Sequence, residues 1–100
     1  MLGLFFMWYV YVLYSISGKK TYTGFTNNLE RRLTEHNITE TSGFTLRYRP
    51  WTLIRVEHYA TKMEAMTREK FLKTGRGREE IKSYVKDFLD GGVSAVAEKD

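Results

Sequence analysis

The stretch WYVYVLYS, residues 8–15, decides the fold of this chain. It is uncharged and rich in aromatic and β-branched residues, and around Tyr9–Val12 this content is typical of a strand buried on both faces. Ser17–Lys19 follows with the composition of a turn, and Thr21–Gly24 predicts a short second strand. The sequence therefore predicts a β-hairpin at the start of the fold.

The uncharged run reaches back to the first residue, but it does not predict a membrane segment. A membrane-spanning helix needs about 20 apolar residues, and residues 1–14 fall short of that length. A signal peptide needs a basic start and a small-residue cleavage site, whereas the first positive charge here is Lys19. We expect a soluble protein with no membrane partner, in which Met7 is an alternative start to Met1.

A helix and a third strand are predicted after the hairpin. Asn27 or Asn28 has the side chain of a helix cap, and the helix is expected to run to about Ile38. Residues 39–50 are polar and contain a glycine, which favours a loop. Thr52–Tyr59 has the composition of a strand.

Two further helices are predicted after the third strand. Thr61–Glu64 has the pattern of a capping box, so a helix begins there, and Gly75 is its expected end. Apolar residues recur at helical spacing within Arg78–Leu89, and the glycines at 91 and 92 stop that helix.

This order of elements predicts one α+β domain. The order ββα-β-αα corresponds to a three-stranded sheet, mixed or antiparallel, flanked by about three helices. A chain of 100 residues can bury one modest core and not two. We expect a single domain over residues 1–89, with its core at about 8–89, and a disordered tail over residues 90–100.

The charge of the chain favours a polyanionic partner. Lysine and arginine number 16 against 12 acidic residues, a net charge of +4. Residues 1–89 hold 15 basic and 9 acidic side chains, so the predicted domain has a net charge of +6. A basic domain with many tyrosines favours nucleic acid as its partner. The lack of cysteine excludes a disulfide framework, thiolate zinc sites and a cysteine nucleophile, and it agrees with a cytoplasmic location.

Two adjacent arginines on the first predicted helix have different environments. Leu29 and Leu33 define its apolar stripe. Arg31 points away from that stripe and forms an ordinary solvent pair with Glu35. Arg32 lies at the edge of the stripe, where it either packs its stem over aromatic rings or holds a phosphate in bidentate fashion.

His36 and two tyrosines are further candidates. His36 lies one turn after Arg32, and a histidine at this edge is either structural or functional. Tyr11 and Tyr22 lie on the same face of the hairpin for either two-residue loop that could close it, where they form a core pair or line a site. Gly24 in a short strand allows a ligand to approach the backbone closely.

Glu69 is the remaining candidate. It follows Ala65 by four residues and precedes Leu72 by three, which predicts a partly inward carboxylate. Such a carboxylate either forms a salt bridge or binds a metal ion, and Lys73 is on the same arc of the helix.

Taken together, these residues stand in the order of a known family. The motifs Tyr9–Tyr11 and Tyr22–Gly24 stand where GIY-YIG nuclease domains carry the two tripeptides of their name. The runs TGFTNNLERRLTEHN (Thr23–Asn37) and REKFLKTGRGR (Arg68–Arg78) closely resemble this family, and the similarity spans about Trp8–Leu89. The chain most resembles the small stand-alone bacterial members, which are relatives of the nuclease domain of the excision-repair C subunit and of intron homing endonucleases.

The resemblance implies metal-dependent hydrolysis of a DNA phosphodiester bond, with a role in repair or in processing structured DNA. Glu69 would hold one Mg²⁺ or Mn²⁺ ion, and Arg32 would stabilise the charge on the phosphate. The base would be either tyrosine, or His36 would relay the proton. Asn37 is expected to tie the helix end to the hairpin. The implied catalytic set is Tyr11, Tyr22, Arg32, His36 and Glu69.

Three positions depart from the family pattern. Tyr9 replaces the glycine of the first motif, and Thr23 replaces the isoleucine of the second. Phe25 stands where the repair subunit carries a lysine, which removes one phosphate-facing charge.

Two other functions remain open at this point. One is a nucleic-acid-binding module that keeps the fold without cleaving, and the other is an interaction domain that binds no nucleic acid. Because no second domain is predicted, specificity would come from DNA structure, from a homodimer or from a protein partner. In the nuclease and in the binding module alike, the expected phosphate contacts are Arg47, Arg49, Lys73, Arg76 and Arg78.

Overall fold

The computed structural model describes residues 7–91, which form an antiparallel sheet with helices on both faces. The strands pair in the order β2-β1-β3, and both ladders are antiparallel. This confirms the predicted α+β class. The elements are β1 (Trp8–Ser15), β2 (Lys20–Thr26), α1 (Leu29–Thr34) continued by a π-helical turn (Glu35–Thr39), α2 (Phe44–Arg47), β3 (Thr52–Tyr59), α3 (Lys62–Leu72) and α4 (Gly75–Leu89).

Strand β1 is buried on both faces because it is the central strand. Val10, Tyr11, Val12 and Leu13 are each at most 1% exposed. Burying one such side chain contributes about 1.5–3 kcal/mol. The prediction of a doubly buried strand from residues 8–15 is confirmed.

The two faces of β1 carry different cores. Val10 and Val12 point toward α3 and α4, where they pack with Ala65, Leu72 and other side chains of those helices. Tyr11 and Leu13 point toward α1, and the side chains packed with them include Trp51, Tyr22, Leu29 and Leu33. The sheet therefore separates two apolar layers, and both of them contain aromatic rings.

The hairpin register places the two motif tyrosines on one face. Tyr11 pairs with Gly24 and Leu13 pairs with Tyr22, so residues 11, 13, 22 and 24 share a face. This confirms the predicted placement of Tyr11 and Tyr22.

Two parts of the predicted element order were wrong. The segment predicted as a loop contains α2, which packs the ring of Phe44 against Trp51. Gly75 was expected to end α3, but α3 ends at Leu72 and Gly75 opens α4. The reason is the hydroxyl of Thr74, which accepts a hydrogen bond from the Gly77 amide and caps α4.

Gly77 sets the distance between α3 and α4. A Cβ atom on Gly77 would lie 2.1 Å from the backbone oxygen of Phe71, so only glycine allows this approach. Across residues 7–91, no helix has the length and apolar character needed to cross a membrane. Of the two possible starts, Met1 lies outside the described residues. Of the predicted disordered tail over residues 90–100, Asp90 and Gly91 bond back to the end of α4, and residues 92–100 lie outside the described residues.

Candidate active site

Gly24 makes room for the tyrosine that faces it across the hairpin. A Cβ atom at this position would lie 2.5 Å from the Tyr11 hydroxyl oxygen and 3.2 Å from Cε2 of Tyr22. The sequence suggested that Gly24 admits a ligand, and this interpretation was wrong because the Tyr11 side chain fills the space. Glycine is therefore required here to seat the tyrosine.

Tyr11 and His36 form a buried hydrogen-bonded pair. The Tyr11 hydroxyl lies 2.9 Å from Nε2 of His36, and each residue is 1% exposed. Burial raises the pKa of Tyr11 above its ordinary value. Tyr22 completes the group, because its ring meets the His36 ring edge-on with centroids 4.7 Å apart. Unlike Tyr11, Tyr22 is only half-buried.

His36 lies in the π-helical turn that continues α1, and it is deeper than the edge position predicted for it. Burial and the nearby Arg32 lower the pKa of His36, so the ring is neutral at pH 7. Its Nδ1 atom has no hydrogen-bond partner among the described residues. The carboxylate oxygen Oε1 of Glu40 lies 3.7 Å from that nitrogen.

Arg32 is held by two carboxylates through a single nitrogen. Its Nη1 donates to Oε1 of Glu35 at 2.6 Å and to Oε2 of Glu40 at 2.9 Å. Although burial opposes it, hydrogen bonding to these carboxylates raises the pKa of Arg32 above its usual value. Arg31 pairs with Glu35 at 3.7 Å and is 60% exposed, as predicted for a solvent-facing arginine.

Sequence reasoning missed Glu40. Its carboxylate contacts Arg32 and also accepts a hydrogen bond from Oγ1 of Thr45 at 2.7 Å. The bond from Thr45 and the pairing with Arg32 hold the pKa of Glu40 below its ordinary value. No helical periodicity could have indicated this residue, because it follows the π-helical turn and its partner Thr45 is in α2.

Asn37 and Arg49 fix the backbone around the site. Asn37 was expected to tie the helix end to the hairpin, but its amide instead bonds both backbone groups of Trp51, just before β3. This prediction was wrong because the first helix faces the start of β3. The guanidinium of Arg49 donates to the carbonyl oxygens of Glu35, His36 and Glu40.

Glu69 comes from the other side of the sheet. It is on α3 between the buried residues Ala65 and Leu72, with a side chain 17% exposed. Its carboxylate pairs with Nζ of Lys73 at 2.5 Å. The structure thus packs Tyr11, Tyr22 and His36 into one cluster beside Arg32, while no described hydrogen bond joins Glu69 to them.

A basic groove runs along the edge strand β2 and connects the two sides. It has a volume of about 800 Å³, and the half-buried Tyr22 and the exposed Phe44 line one part of it. Thr23 and Leu72 line another part, and no acidic residue is among the lining side chains of the described chain. The basic residues of this β2 groove are Lys19, Lys20, Lys73, Arg78 and Lys82.

The predicted phosphate contacts are distributed unevenly around this groove. Lys73 and Arg78 line it. Arg76 is exposed at the start of α4, and Arg47 lies 5.8 Å from the centre of the Tyr48 ring. Arg49 is half-buried against the carbonyl groups of the π-helical turn.

Comparisons with known proteins cover most of the described residues. A family model described as the GIY-YIG catalytic domain matches residues 7–82. A UPF0213 protein of Natronomonas pharaonis is 41% identical over 66% of this chain and 76% of that protein. A UPF0213 protein of Staphylococcus haemolyticus is 35% identical over 74% of this chain and 89% of that protein. The solution NMR structure of a UPF0213 protein from Bacillus halodurans is 29% identical, covers 77% of this chain and 83% of that chain, and has a TM-score of 0.47.

Proposed function

The chain belongs to the GIY-YIG catalytic domain family, and on that premise we propose that it is a metal-dependent endonuclease that hydrolyses a phosphodiester bond of structured DNA. The observation that carries this proposal is the packed group of Tyr11, Tyr22 and His36 beside Arg32. A binding module would not require a buried histidine that is kept neutral and hydrogen-bonded to a tyrosine.

Tyr22 is the residue of this group that meets the substrate. Its ring lines the β2 groove, whereas Tyr11 is buried and its raised pKa makes it a poor base at neutral pH. The Tyr11 hydroxyl takes the proton of the attacking water as it passes its own proton to Nε2 of neutral His36, so Tyr11 stays uncharged and the proton ends on His36. The water oxygen then bonds to phosphorus as the bond to the leaving oxygen breaks.

Arg32 stabilises the charge that develops on the phosphate. Its Nη1 is occupied by Glu35 and Glu40, and the guanidinium also interacts with the Tyr11 hydroxyl, so the donors that these groups leave are the ones proposed for phosphate oxygens. Because both carboxylates hold the guanidinium in place before the substrate arrives, little reorganisation accompanies the reaction.

Glu69 supplies one carboxylate for a magnesium or manganese ion. Magnesium commonly takes one or two carboxylates and fills its other positions with phosphate oxygens and water. No group of three or more His, Cys, Asp or Glu residues within 7–91 could enclose a metal ion. Glu69 is partly exposed and its partner Lys73 lines the β2 groove, so this donor set fits a single ion shared with the substrate. When bound, such an ion would stabilise negative charge on the phosphate and on the leaving oxygen.

The β2 groove is the proposed path of the DNA backbone. Lys73 and Arg78 are joined there by Lys19, Lys20 and Lys82, which sequence reasoning did not single out. Arg47 and Arg76 extend this basic surface, whereas the guanidinium of Arg49 is occupied by backbone carbonyls. We propose that the protein acts in the cytoplasm. Its specificity would come from the structure of the DNA, from a homodimer or from a protein partner.

One observation favours a second candidate, a nucleic-acid-binding module that does not cleave. The Glu69 carboxylate pairs with Lys73, as a purely structural acid would. Purified protein incubated with branched, flap and duplex DNA distinguishes the two functions. The nuclease predicts products with Mn²⁺ that disappear with chelator and with the Tyr22→Phe variant. Binding of the same DNA without any product would support the module.

A further inference from the structure

Glu40 ends the π-helical turn with its carboxylate turned back into the site. Its backbone amide donates to the Glu35 carbonyl at 3.0 Å, which closes the turn. Its side chain then contacts three groups: Arg32 at 2.9 Å, Thr45 at 2.7 Å and Nδ1 of His36 at 3.7 Å. Turns of this kind are frequent at functional sites.

The proton on His36 has two alternative positions in this environment. If Nδ1 carries it, the N–H faces the Glu40 carboxylate, and Nε2 accepts the hydrogen bond from the Tyr11 hydroxyl. If Nε2 carries it, the bare Nδ1 lone pair faces a carboxylate in a buried place. The second arrangement is unfavourable because two electron-rich atoms then face each other with little water between them.

We infer that Glu40 is a positioning residue that fixes the proton of His36 on Nδ1 and thereby makes Nε2 the acceptor toward Tyr11. The inference rests on the proposed function in one respect, since it supposes that His36 accepts a proton during cleavage. A neutral histidine that must receive a proton at one nitrogen commonly has its other nitrogen held by a carboxylate.

The groups around His36 agree with this assignment. Burial lowers the pKa of His36, as do the positive charges of Arg32 on α1 and Arg49 after α2, whereas Glu40 and Glu35 raise it. The sheet contributes the rings of Tyr11 and Tyr22 to the surroundings of His36. Glu40 is thus the anion placed to interact with Nδ1.

Arg49 keeps Glu40 in this position. Its Nη2 donates to the carbonyl oxygen of Glu40 at 2.8 Å and to that of Glu35 at 3.1 Å, while its Nε bonds the carbonyl of His36 at 2.6 Å. One guanidinium therefore fixes the backbone at both ends of the turn. The backbone that carries the Glu40 carboxylate is therefore held in place next to His36.

The first test measures the histidine proton directly by NMR of the full chain labelled with ¹⁵N at histidine. The protein has two histidines, and exposed His58 serves as the internal reference for His36. We expect the Nδ1–H form of His36 in the wild type. Glu40→Gln should populate the Nε2–H form, because a glutamine can turn its amide N–H toward a bare Nδ1.

Glu35→Gln is the matched control for this test. Glu35 also binds Nη1 of Arg32, but its carboxylate is not the one placed at Nδ1 of His36. The proton of His36 should stay on Nδ1 in this variant. An Nε2–H form in the wild type, or the same tautomer change in both variants, would overturn the inference.

The second test measures cleavage across pH. Glu40→Gln should lower kcat roughly 10–100-fold, by analogy with the loss of a partner that orients a metal-bound histidine, with little change in KM. The acid limb of the profile should move to lower pH, because the loss of an anion lowers the pKa of His36. Glu35→Gln should move it less, and equal shifts would contradict the positioning role. If the wild type cleaves no DNA, the proposed function fails, while the NMR result still decides the inference.

Discussion

Two arginines of this molecule each bind two glutamates, one arginine on either face of the sheet. On the side of α3 and α4, Arg68 donates Nε and Nη2 to both oxygens of Glu57, at 2.9 and 3.0 Å, and Nη2 also reaches Glu80 at 2.6 Å. On the side of α1, Arg32 uses Nη1 alone for both of its carboxylates. Each group consists of one arginine and two glutamates, but Arg68 donates through two nitrogens and Arg32 through one.

The difference separates a structural network from a site. Glu57 also accepts bonds from Tyr59 at 2.8 Å and from Arg55 at 3.0 Å, so each of its carboxylate oxygens accepts two bonds and the network around Arg68 joins β3, α3 and α4. Beside Arg32, in contrast, the buried Nδ1 of His36 lacks a partner in the described chain. Partly satisfied polar groups are costly inside a protein, and they persist where function requires them.

The largest expected effect comes from exchanging each arginine for alanine. Arg32→Ala should lower the cleavage rate about a hundredfold or more, because it removes the group that we propose stabilises phosphate charge. Arg68→Ala should retain cleavage but lower the free energy of unfolding by about 3 kcal/mol, because it leaves half-buried Glu57 without its main partner. Cleavage assays and urea unfolding of both variants check this pair.

Arg31→Ala provides the control for that comparison. Arg31 is exposed beside Glu35, so its loss should reduce DNA affinity only slightly. Equal losses of cleavage for Arg31→Ala and Arg32→Ala would show that the site is not where the geometry indicates.

A second large effect is expected at Glu69, which is on the same side of the sheet as the structural network. Glu69→Gln should lower the rate of metal-dependent cleavage about a hundredfold or more. DNA binding should be unchanged or tighter, because a negative charge near the groove is lost. Gel shifts and cleavage assays with Mn²⁺ measure the two properties separately. If cleavage persists, Glu69 belongs with the structural acids such as Glu57.

A moderate effect is expected along the β2 groove. DNA affinity should fall steeply with salt, and Arg78→Ala should lower the slope of log affinity against log salt by about one unit. Lys70→Ala is the matched control, because Lys70 is exposed on α3 and does not line the groove. Titrations at several salt concentrations check this, and equal slopes for both variants would exclude the groove as the path of DNA.

The smallest effect concerns acid stability. Although burial opposes it, hydrogen bonds from Arg68 and Tyr59 hold the pKa of Glu57 below its usual value. The stability that this carboxylate contributes is therefore complete above about pH 4.3 and is lost as the pH falls through the lower folded pKa. The slope of unfolding free energy against pH reports how many more protons the unfolded state binds than the folded state. In Glu57→Gln this difference should decrease by up to about one proton. Urea titrations between pH 3 and 6 measure it, and an unchanged slope would contradict the role of Glu57.

Much of the fold was predictable because it depends on local patterns. The bounds of Trp8–Ser15 and Thr52–Tyr59 were predicted correctly, and so was the capping box formed by Thr61 and Glu64. Each of these is set by residues that are neighbours in sequence. Gly75 was misjudged because a glycine can both end one helix and follow the cap of the next.

The less predictable part of the site depends on distant contacts. The bonds from Arg49 to the π-helical turn and from Asn37 to Trp51 span 9–14 residues, and no periodicity marks either pair. The candidate residues Tyr11, Tyr22, Arg32 and His36 could be named from helical and strand faces together with motif resemblance. The proposed role of Glu40 could not be inferred from the sequence, because it depends on the position of the π-helical turn.

The π-helical turn over Glu35–Thr39 also bears on how the chain tolerates changes of length. A regular α-helix advances about 100° per residue. A wider turn holds an extra residue, which changes the direction in which every later side chain points. Removing the exposed Ile38 would sacrifice little buried surface, yet it would rotate Glu40 away from His36. Side chains on the outside of this turn can therefore vary in chemistry, but the number of residues in it is fixed.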